Sequence, residues 1–250
     1  AMLSFRSSAY GSTSHALANQ NAFNTFYGGK AIFYSSGHRT GFTDDHCMYA
    51  YRNTRAHNSI LVNGMGQKIG TEGYGWIPRY YEGEELSYVV GDASNAYGEV
   101  VSPLWLERGH LSGPRYTPEM GWDENKLDFF RRHIVQLGRS GLFVVYDELA
   151  AKEPVKWNYL LHTVELPMEI TGEEGGLRIL GKNKADGISV AHLFSSQEMT
   201  YAQTDTFFVA AVDWKNRLGK SMDNHYHFTA TTTPCTRTCF LNVIDVHGNN

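Results

Sequence analysis

Two short stretches of this 250-residue chain place an imidazole beside carboxamide side chains. In the first, His15 is followed by Asn19 and Asn21, and in the second His57 is followed directly by Asn58. Each stretch leads into a run of apolar residues that is typical of a β-strand. Uncharged imidazole and carboxamide groups can together hydrogen-bond an anion such as a carboxylate. The two stretches therefore predict a site for an acidic ligand.

β-Elimination on a uronic acid is a reaction that such groups can serve. One group must neutralise the carboxylate, a second must take the proton from the adjacent carbon, and a third must protonate the departing oxygen. His15 is a candidate for the base or for the carboxylate-neutralising group, with Asn19 and Asn21 orienting it. Taken alone, His15 is more simply a strand-end histidine, and His57 a buried histidine that orients a loop. The two segments together favour a site.

Aromatic and basic residues between the two motifs complete the candidate site. Tyr51, Arg52 and Arg55 can stack on sugar rings and pair with carboxylate or sulfate groups. With His57 and Asn58 they form the predicted substrate-binding set. The alternative, which we weigh equally for the aromatic and basic residues, is a strand whose alternate side chains face solvent.

Short apolar segments alternate with Gly, Asn and Asp along most of the chain. A composition of 42% hydrophobic and 19% charged residues, with 25 Gly, 15 Tyr and 13 Phe, favours strands and tight turns over helices. We therefore predict an all-β fold, a large antiparallel β-sandwich of two packed sheets with little helix. It forms one domain over 1–250, with a possible internal boundary near 165–176.

Individual strands follow from the same pattern, and a helical turn is predicted only at the start of 14–26. A hairpin is expected where Gly138 to Gly141 separate two of the strands. The predicted strands are 31–34, 59–62, 86–90, 129–137, 142–147, 157–162, 177–179, 189–193, 207–212, 225–230 and 239–246.

Charge and length exclude two classes of partner. A net charge of -4 gives no basic surface for nucleic acid, and no segment approaches the roughly 20 apolar residues of a membrane span. Cys47, Cys235 and Cys239 lack the clustered partners that a thiolate zinc site needs. No signal peptide is visible in the sequence, so the cellular location has to be inferred.

Three segments of the chain match a known sequence pattern: Ser14 to Phe23, Ser35 to Gly37, and Thr54 to Gly64. They resemble the motifs of the heparinase II/III-like domain of polysaccharide lyases, of the heparinase II and oligoalginate lyase type. The similarity runs from Phe5 to about His162. It implies a C-terminal β-sandwich that packs against an N-terminal α/α toroid of the same natural protein, with acidic polysaccharide bound between them.

The resemblance also implies an activity. It implies β-elimination on heparin- or heparan-type glycosaminoglycan first and on alginate second, with His15 matching a catalytic histidine of the family. The toroid would hold the rest of the active site, so this chain alone would be inactive or weak. Such substrates imply a periplasmic or secreted location. The alternative is a non-catalytic carbohydrate-binding or structural β-sandwich in which the same aromatic residues bind sugar.

One departure from the family pattern concerns a metal. Several members hold a structural zinc through two histidines and an aspartate, and the matching positions here are Leu17, Ser35 and His57. A leucine cannot coordinate zinc, and one histidine cannot hold it alone. We therefore predict no metal at these positions and no cofactor.

Overall fold

Strands dominate the part of the chain that the computed structural model describes, which is residues 1–12, 15–42, 44–99, 103, 105, 127–213 and 219–248. Ser14, the first residue of the first motif, lies outside these ranges. The strands are β1 (Met2–Arg6), β2 (Ala22–Tyr27), β3 (Lys30–Ala31), β4 (Ile60–Val62), β5 (Trp76–Glu82), β6 (Leu86–Asp92), β7 (Leu127–Leu137), β8 (Leu142–Val155), β9 (Trp157–Thr163), β10 (Glu169–Glu173), β11 (Gly176–Lys182), β12 (Gly187–Ser195), β13 (Met199–Thr204), β14 (Tyr226–Thr232) and β15 (Cys235–Gly248). Short helical turns lie at Cys47–Tyr51, Thr54–Ala56 and Ser94–Ala96.

The strands form three antiparallel sheets. The largest has the order β10-β11-β12-β15-β8-β7-β6-β5, and a second has the order β13-β14-β9-β4. A small sheet, β1-β2-β3, carries the residues that follow the first motif. The all-β sandwich predicted from the sequence is confirmed, and the third sheet is an addition to the two that were expected.

One apolar core lies between the two larger sheets. Alternate residues of β7 and β8, such as Phe130, Ile134 and Phe143, point inward because side chains alternate across a strand. They meet Trp157 and Phe228 of the four-stranded sheet. The packing of this core therefore fixes the ends of the strands to which the motif loops are connected.

Tight turns occur where the sequence predicts them. Gly138 and Gly141, with φ of 52° and 86°, close the β7–β8 hairpin. Asn63 and Gly64, with φ of 54° and 78°, form the two-residue turn after β4, and the N–H of Met65 donates to the carbonyl of Val62 over 2.9 Å. Asn and Gly are favoured in such turns because they tolerate the left-handed conformation.

One predicted strand is shorter than expected: of 31–34 only Ala31 lies in β3, and Phe33 makes an isolated bridge to Thr163. Two other predictions of local structure are wrong. Residues 207–212 form no strand, because Phe207 turns its ring onto His46 and His225, at 4.8 and 5.2 Å between ring centroids. The described residues of 14–26 contain turns and strand β2 in place of a helical turn, since Ala22–Tyr27 pairs with β1. In both cases long-range packing decides the conformation.

The segment around 165–176 ends in a hairpin at the edge of the large sheet. Glu173 and Gly176 are paired at its tip, and β11 continues the sheet through β12. The possible domain boundary placed here from sequence remains an expectation.

A buried ion pair joins the large sheet to both motif segments. Arg132 of β7 and Asp147 of β8 are each 0% exposed, and Nε and Nη2 of Arg132 donate to the two carboxylate oxygens over 2.6 and 2.7 Å. Nη1 of the same guanidinium donates to the carbonyls of Asn21 and Asn58 over 2.6 and 2.8 Å. One side chain thus anchors the ends of both motifs.

Candidate functional site

His15 lies exposed in a turn between β1 and β2 of the small sheet, and an arginine hydrogen-bonds to it. Nη2 of Arg39 is 2.6 Å from Nδ1 of His15, and the ring of Phe42 contacts the imidazole edge-on at 5.4 Å between centroids. A guanidinium only donates hydrogen bonds, so Nδ1 is the acceptor and a neutral His15 carries its proton on Nε2. His15 therefore presents a hydrogen-bond donor to solvent. No motif in the sequence pointed to Arg39.

Two buried histidines hold the backbone next to Arg39. The N–H of Gly37 donates to Nδ1 of His225 over 3.0 Å, and the N–H of His38 donates to Nε2 of His46 over 3.0 Å. Burial lowers the pKa of His46 and lowers that of His225 to about 4, so both rings are neutral acceptors near pH 7. The position of Arg39 thus depends on uncharged imidazoles.

Tyr51 and Arg52 lie on the same side of the fold but differ in accessibility. Tyr51 is half-buried; burial raises its pKa, and the nearby charge of Arg39 opposes that rise. Arg52 is buried, with its guanidinium carbon 5.0 Å from the ring centroid of Phe42 and 4.6 Å from that of Trp105. The charge of Arg39 therefore acts on Tyr51, whereas Arg52 packs in the interior behind Phe42.

Asn19 and Asn21 make hydrogen bonds away from His15. The side-chain oxygen of Asn19 accepts from the guanidinium of Arg6. Asn21 is buried with φ of 56°, and its Nδ2 donates to the carbonyl of Gly91 over 3.0 Å. Asparagine tolerates this left-handed conformation better than most residues. Orientation of His15 by these residues stays a prediction that no contact of theirs in the structure supports.

His57 and Asn58 are both fully buried. Nδ1 of His57 lies 2.9 Å from Oγ of Ser35, and burial, assisted by the charge of Arg6, lowers the pKa of His57 to about 3. Oδ1 of Asn58 accepts from the backbone N–H of His162 over 2.9 Å. A fully buried side chain offers no surface to a saccharide, so the geometry gives both residues a positioning role.

The positions that match the family's zinc ligands do not fit a zinc ion. Ser35 and His57 are adjacent, as the resemblance implied, but Leu17 supplies only its backbone carbonyl, which accepts from Nη1 of Arg6 over 3.3 Å. The positive charge of Arg6 next to His57 disfavours a second cation. Among the described residues, no group of three or more His, Cys, Asp or Glu is arranged to hold a metal.

A cleft of about 590 Å³ begins beside Tyr51. Gly37 lines it, and a Cβ added at Gly37 would lie 3.1 Å from the Cα of Tyr51. His38, the neighbour of Arg39, lines it as well. The cleft is basic, with three lysines and one glutamate. Its lining residues are Lys30, Ala31, Ile32, Tyr34, Ser35, Gly37, His38, Val164, Glu165, Lys182, Asn183, Lys184, Ala185 and His225.

Arg55 lies apart from this cleft. Its guanidinium carbon stacks 3.9 Å from the ring centroid of Phe208, and burial lowers its pKa to about 10. The predicted substrate-binding set of five residues is therefore divided. None of the five lines the cleft itself; Tyr51 lies against Gly37, which does, whereas Arg52 and Arg55 pack against aromatic rings elsewhere and His57 and Asn58 are buried.

Comparison with solved structures identifies the architecture. The chain superimposes on a crystal structure of heparinase III with a TM-score of 0.65 and 18% sequence identity, over 98% of this chain and 32% of that one. The chain has a heparinase-like β-sandwich. A second heparinase III matches with a TM-score of 0.64 and 12% identity, over 94% of this chain and 31% of that one. A mutant of the heparan sulfate lyase HepC from Pedobacter heparinus matches with a TM-score of 0.62 and 12% identity, over the same shares.

The likeness to heparinase III is one of fold. No family model matches the sequence, and neither does any curated protein. The chain spans about a third of the length of the heparinase III chains. The roles of individual residues therefore rest on the geometry described above. In the described part of the chain, no helix combines the length and the apolar character needed to cross a membrane.

Proposed function

We propose that this chain is the β-sandwich of a polysaccharide lyase that cleaves a uronic-acid polysaccharide by β-elimination. Heparan-type glycosaminoglycan is the first substrate class and alginate the second. One observation carries the proposal: Arg39 hydrogen-bonds the exposed His15, its charge acts on Tyr51, and Tyr51 lies against Gly37 of a lysine-lined cleft. The heparinase III fold supports it, because the polyanionic substrate that the cleft suits is also the one named for HepC, a heparan sulfate lyase.

His15 neutralises the substrate carboxylate in this scheme. Its Nε2–H donates to the carboxylate while Arg39 holds Nδ1, so the negative charge that develops on the carboxylate in the transition state meets a fixed donor and a nearby cation. The same tautomer makes His15 a poor base, because the lone pair of Nδ1, which would take the proton, already accepts a hydrogen bond from Arg39. Of the two roles predicted for His15, we therefore favour the neutralising group.

Tyr51 suits the protonation of the leaving oxygen. Burial raises the pKa of its hydroxyl, which therefore keeps its proton until the departing O4 accepts it. The proton beside the carboxylate passes to a base, the C4–O bond breaks, and a C4–C5 double bond forms. In our proposal that base comes from an α/α toroid of the natural protein, which acts as partner of this chain across the cleft.

The remaining motif residues position the site. Asn19 holds Arg6, and Asn21 and Asn58 present their carbonyls to Arg132, so the two loops keep a fixed separation. We propose that His57 likewise positions the site, through its hydrogen bond with Ser35. Because acidic polysaccharides of these classes lie outside the cytoplasm, we propose a periplasmic or secreted location.

The test is replacement of His15 in the natural full-length protein. Unsaturated uronate is detected by its ultraviolet absorbance after incubation with heparan sulfate, chondroitin, hyaluronan and alginate. His15→Ala is expected to lower kcat/KM by about 10²–10⁴-fold. The exposed His247 gives a matched control, and His247→Ala should leave turnover unchanged. Equal activity of the two variants would remove His15 from the mechanism.

The tautomer of His15 can be read separately, on this chain alone. Ring ¹⁵N chemical shifts should report a proton on Nε2 in the native chain and a mixture of tautomers in Arg39→Met. A proton found mainly on Nδ1 in the native chain would restore the base role for His15 and shift the neutralising role elsewhere.

A non-catalytic carbohydrate-binding sandwich is the second candidate. It is favoured because the lysine-lined cleft suits an acidic saccharide whether or not a base acts there, and because Leu17 and Ser35 replace two of the family's zinc ligands. Polysaccharide binding without unsaturated product, even in the full-length protein, would support it. The same incubation therefore separates the two functions.

A further inference from the structure

A second cavity, of about 240 Å³, lies beneath the loop that follows β13. It shares no lining residue with the lysine-lined cleft, and it contains a cation, two imidazoles and four hydroxyl groups among apolar side chains. Its lining residues are Ser36, Ala50, Arg55, Ala56, Leu61, Leu160, His162, Thr204, Thr206, Phe207, Phe208, His227 and Thr229.

Arg55 is the only charged residue among those that line this cavity. Its Nε is buried without a hydrogen-bond partner, and no described carboxylate pairs with its guanidinium. Burial is the one influence on its pKa, which stays near 10, so the side chain is a cation at neutral pH. The described part of the chain therefore provides a largely buried positive charge with which no described carboxylate is paired.

Stacking on Phe208 compensates this charge only in part. A desolvated cation–π contact recovers only part of the free energy that is lost when an ion leaves water. Buried charges in proteins are normally paired or bound to a ligand. A bound counter-ion would remove the part of the desolvation cost that the contact with Phe208 leaves.

The other polar groups of the cavity suit an anion. Oγ1 of Thr204 accepts from the backbone N–H of Thr206, which leaves its own proton free to donate. Thr229 lines the same space. Burial lowers the pKa of His227 to about 4 and that of His162 below its usual range, so neither ring adds charge. Both ring nitrogens of His162 already contact protein oxygens, those of Asn58 and Arg55, at 3.0 and 2.8 Å, so the hydroxyl groups are the donors that remain for a ligand.

We propose that this cavity binds a small oxyanion, a carboxylate or sulfate group, with Arg55 as its counter-ion and Thr204 and Thr229 as hydroxyl donors. A singly charged group is favoured over a multiply charged one. The cavity holds a single cation, and Asp205, whose charge acts on the adjoining His227, repels a second negative charge. The group can belong to a free ion or to a saccharide. The site is independent of lyase activity, because none of its residues acts in the proposed elimination.

The experiment follows the side-chain N–H of Arg55 by NMR in this chain at constant pH and ionic strength. Sodium acetate, sodium sulfate and a heparan sulfate disaccharide are titrated separately. A saturable shift of the Arg55 Nε–H signal with a free salt is the expected result for a free ion, at lower concentration for singly charged acetate than for doubly charged sulfate. A shift with the disaccharide alone assigns the anion to a saccharide. No shift with any of the three would overturn the proposal.

Thermal unfolding gives a second readout that does not depend on assigning the signal. An anion at one hundred times its Kd is expected to raise the Tm by about 5–10 °C. Arg55→Met should abolish the rise while keeping the fold, since it removes an uncompensated charge. Arg79→Met, an exposed arginine on the edge strand β5, is the matched control and should keep the full rise. An equal rise in both variants would refute the role of Arg55.

Discussion

Replacing Asp147 with Asn tests whether the buried ion pair holds the two motif segments in place. The substitution keeps the shape of the side chain but leaves Arg132 as a buried cation without its carboxylate. Breaking a buried pair on one side costs about 3–5 kcal/mol, because the remaining charge stays desolvated. For a chain of this length, that loss lowers the Tm by about 6–20 °C.

Urea unfolding followed by tryptophan fluorescence measures the effect. The matched control is Glu169→Gln, which breaks the exposed pair with Lys182 and should cost less than about 1 kcal/mol. A double variant, Arg132→Met with Asp147→Leu, removes both charges. It should recover only part of the loss, because the carbonyls of Asn21 and Asn58 lose their shared donor. If Asp147→Asn were no more costly than Glu169→Gln, the reasoning would be refuted.

Three further predictions concern pH, packing and thiol reactivity. Burial lowers the pKa of His57 to about 3 and that of His225 and His227 to about 4, so below about pH 6.5 the unfolded chain takes up protons that the folded chain cannot. Stability should therefore fall as the pH drops from 6.5 to 5, by about 2 kcal/mol for His57 alone, and urea midpoints that are equal at both pH values would contradict this. Gly91→Ala should cost about 1–3 kcal/mol in the same assay, since its Cβ would lie 2.2 Å from the side-chain oxygen of Asn21; a variant as stable as the native chain would show that the two strands can move apart. Burial raises the pKa of Cys47 to about 11, so iodoacetamide at pH 8 should label the two other cysteines first by mass spectrometry, and rapid labelling of Cys47 would count against its burial.

The fold could be predicted from sequence because its signals are local. Alternation of apolar and polar residues is clear in β7 and β8, where one face is buried and the other is open. The strand β5 shows no such signal, since every residue from Trp76 to Glu82 is exposed. A strand that buries neither face has no need for alternating apolar and polar residues, so its sequence shows no two-residue period.

The site could be predicted only in part, because residue type does not reveal accessibility. His15 and Tyr51 lie where a ligand can reach them, whereas His57 and Asn58, with similar chemistry, are sealed inside. Arg39 was missed because it is an isolated arginine in a loop, which is held by the contacts of Gly37 with His225 and of His38 with His46. The Arg39–His15 and Gly37–His225 contacts join residues that are 24 and 188 positions apart, so no short sequence motif contains them.

The guanidinium of Arg6 provides the positive charge beside His57 in this chain. It belongs to β1, and the pairing of Arg6 with Ala22 sets its place at the level of the first motif. A charge that is part of the polypeptide is present as soon as the chain folds and cannot be lost to a chelator or to metal-poor growth conditions. Folding of the region around Arg6 and His57 should therefore not depend on the metal concentration of the surroundings, but it should depend on the first strand, β1.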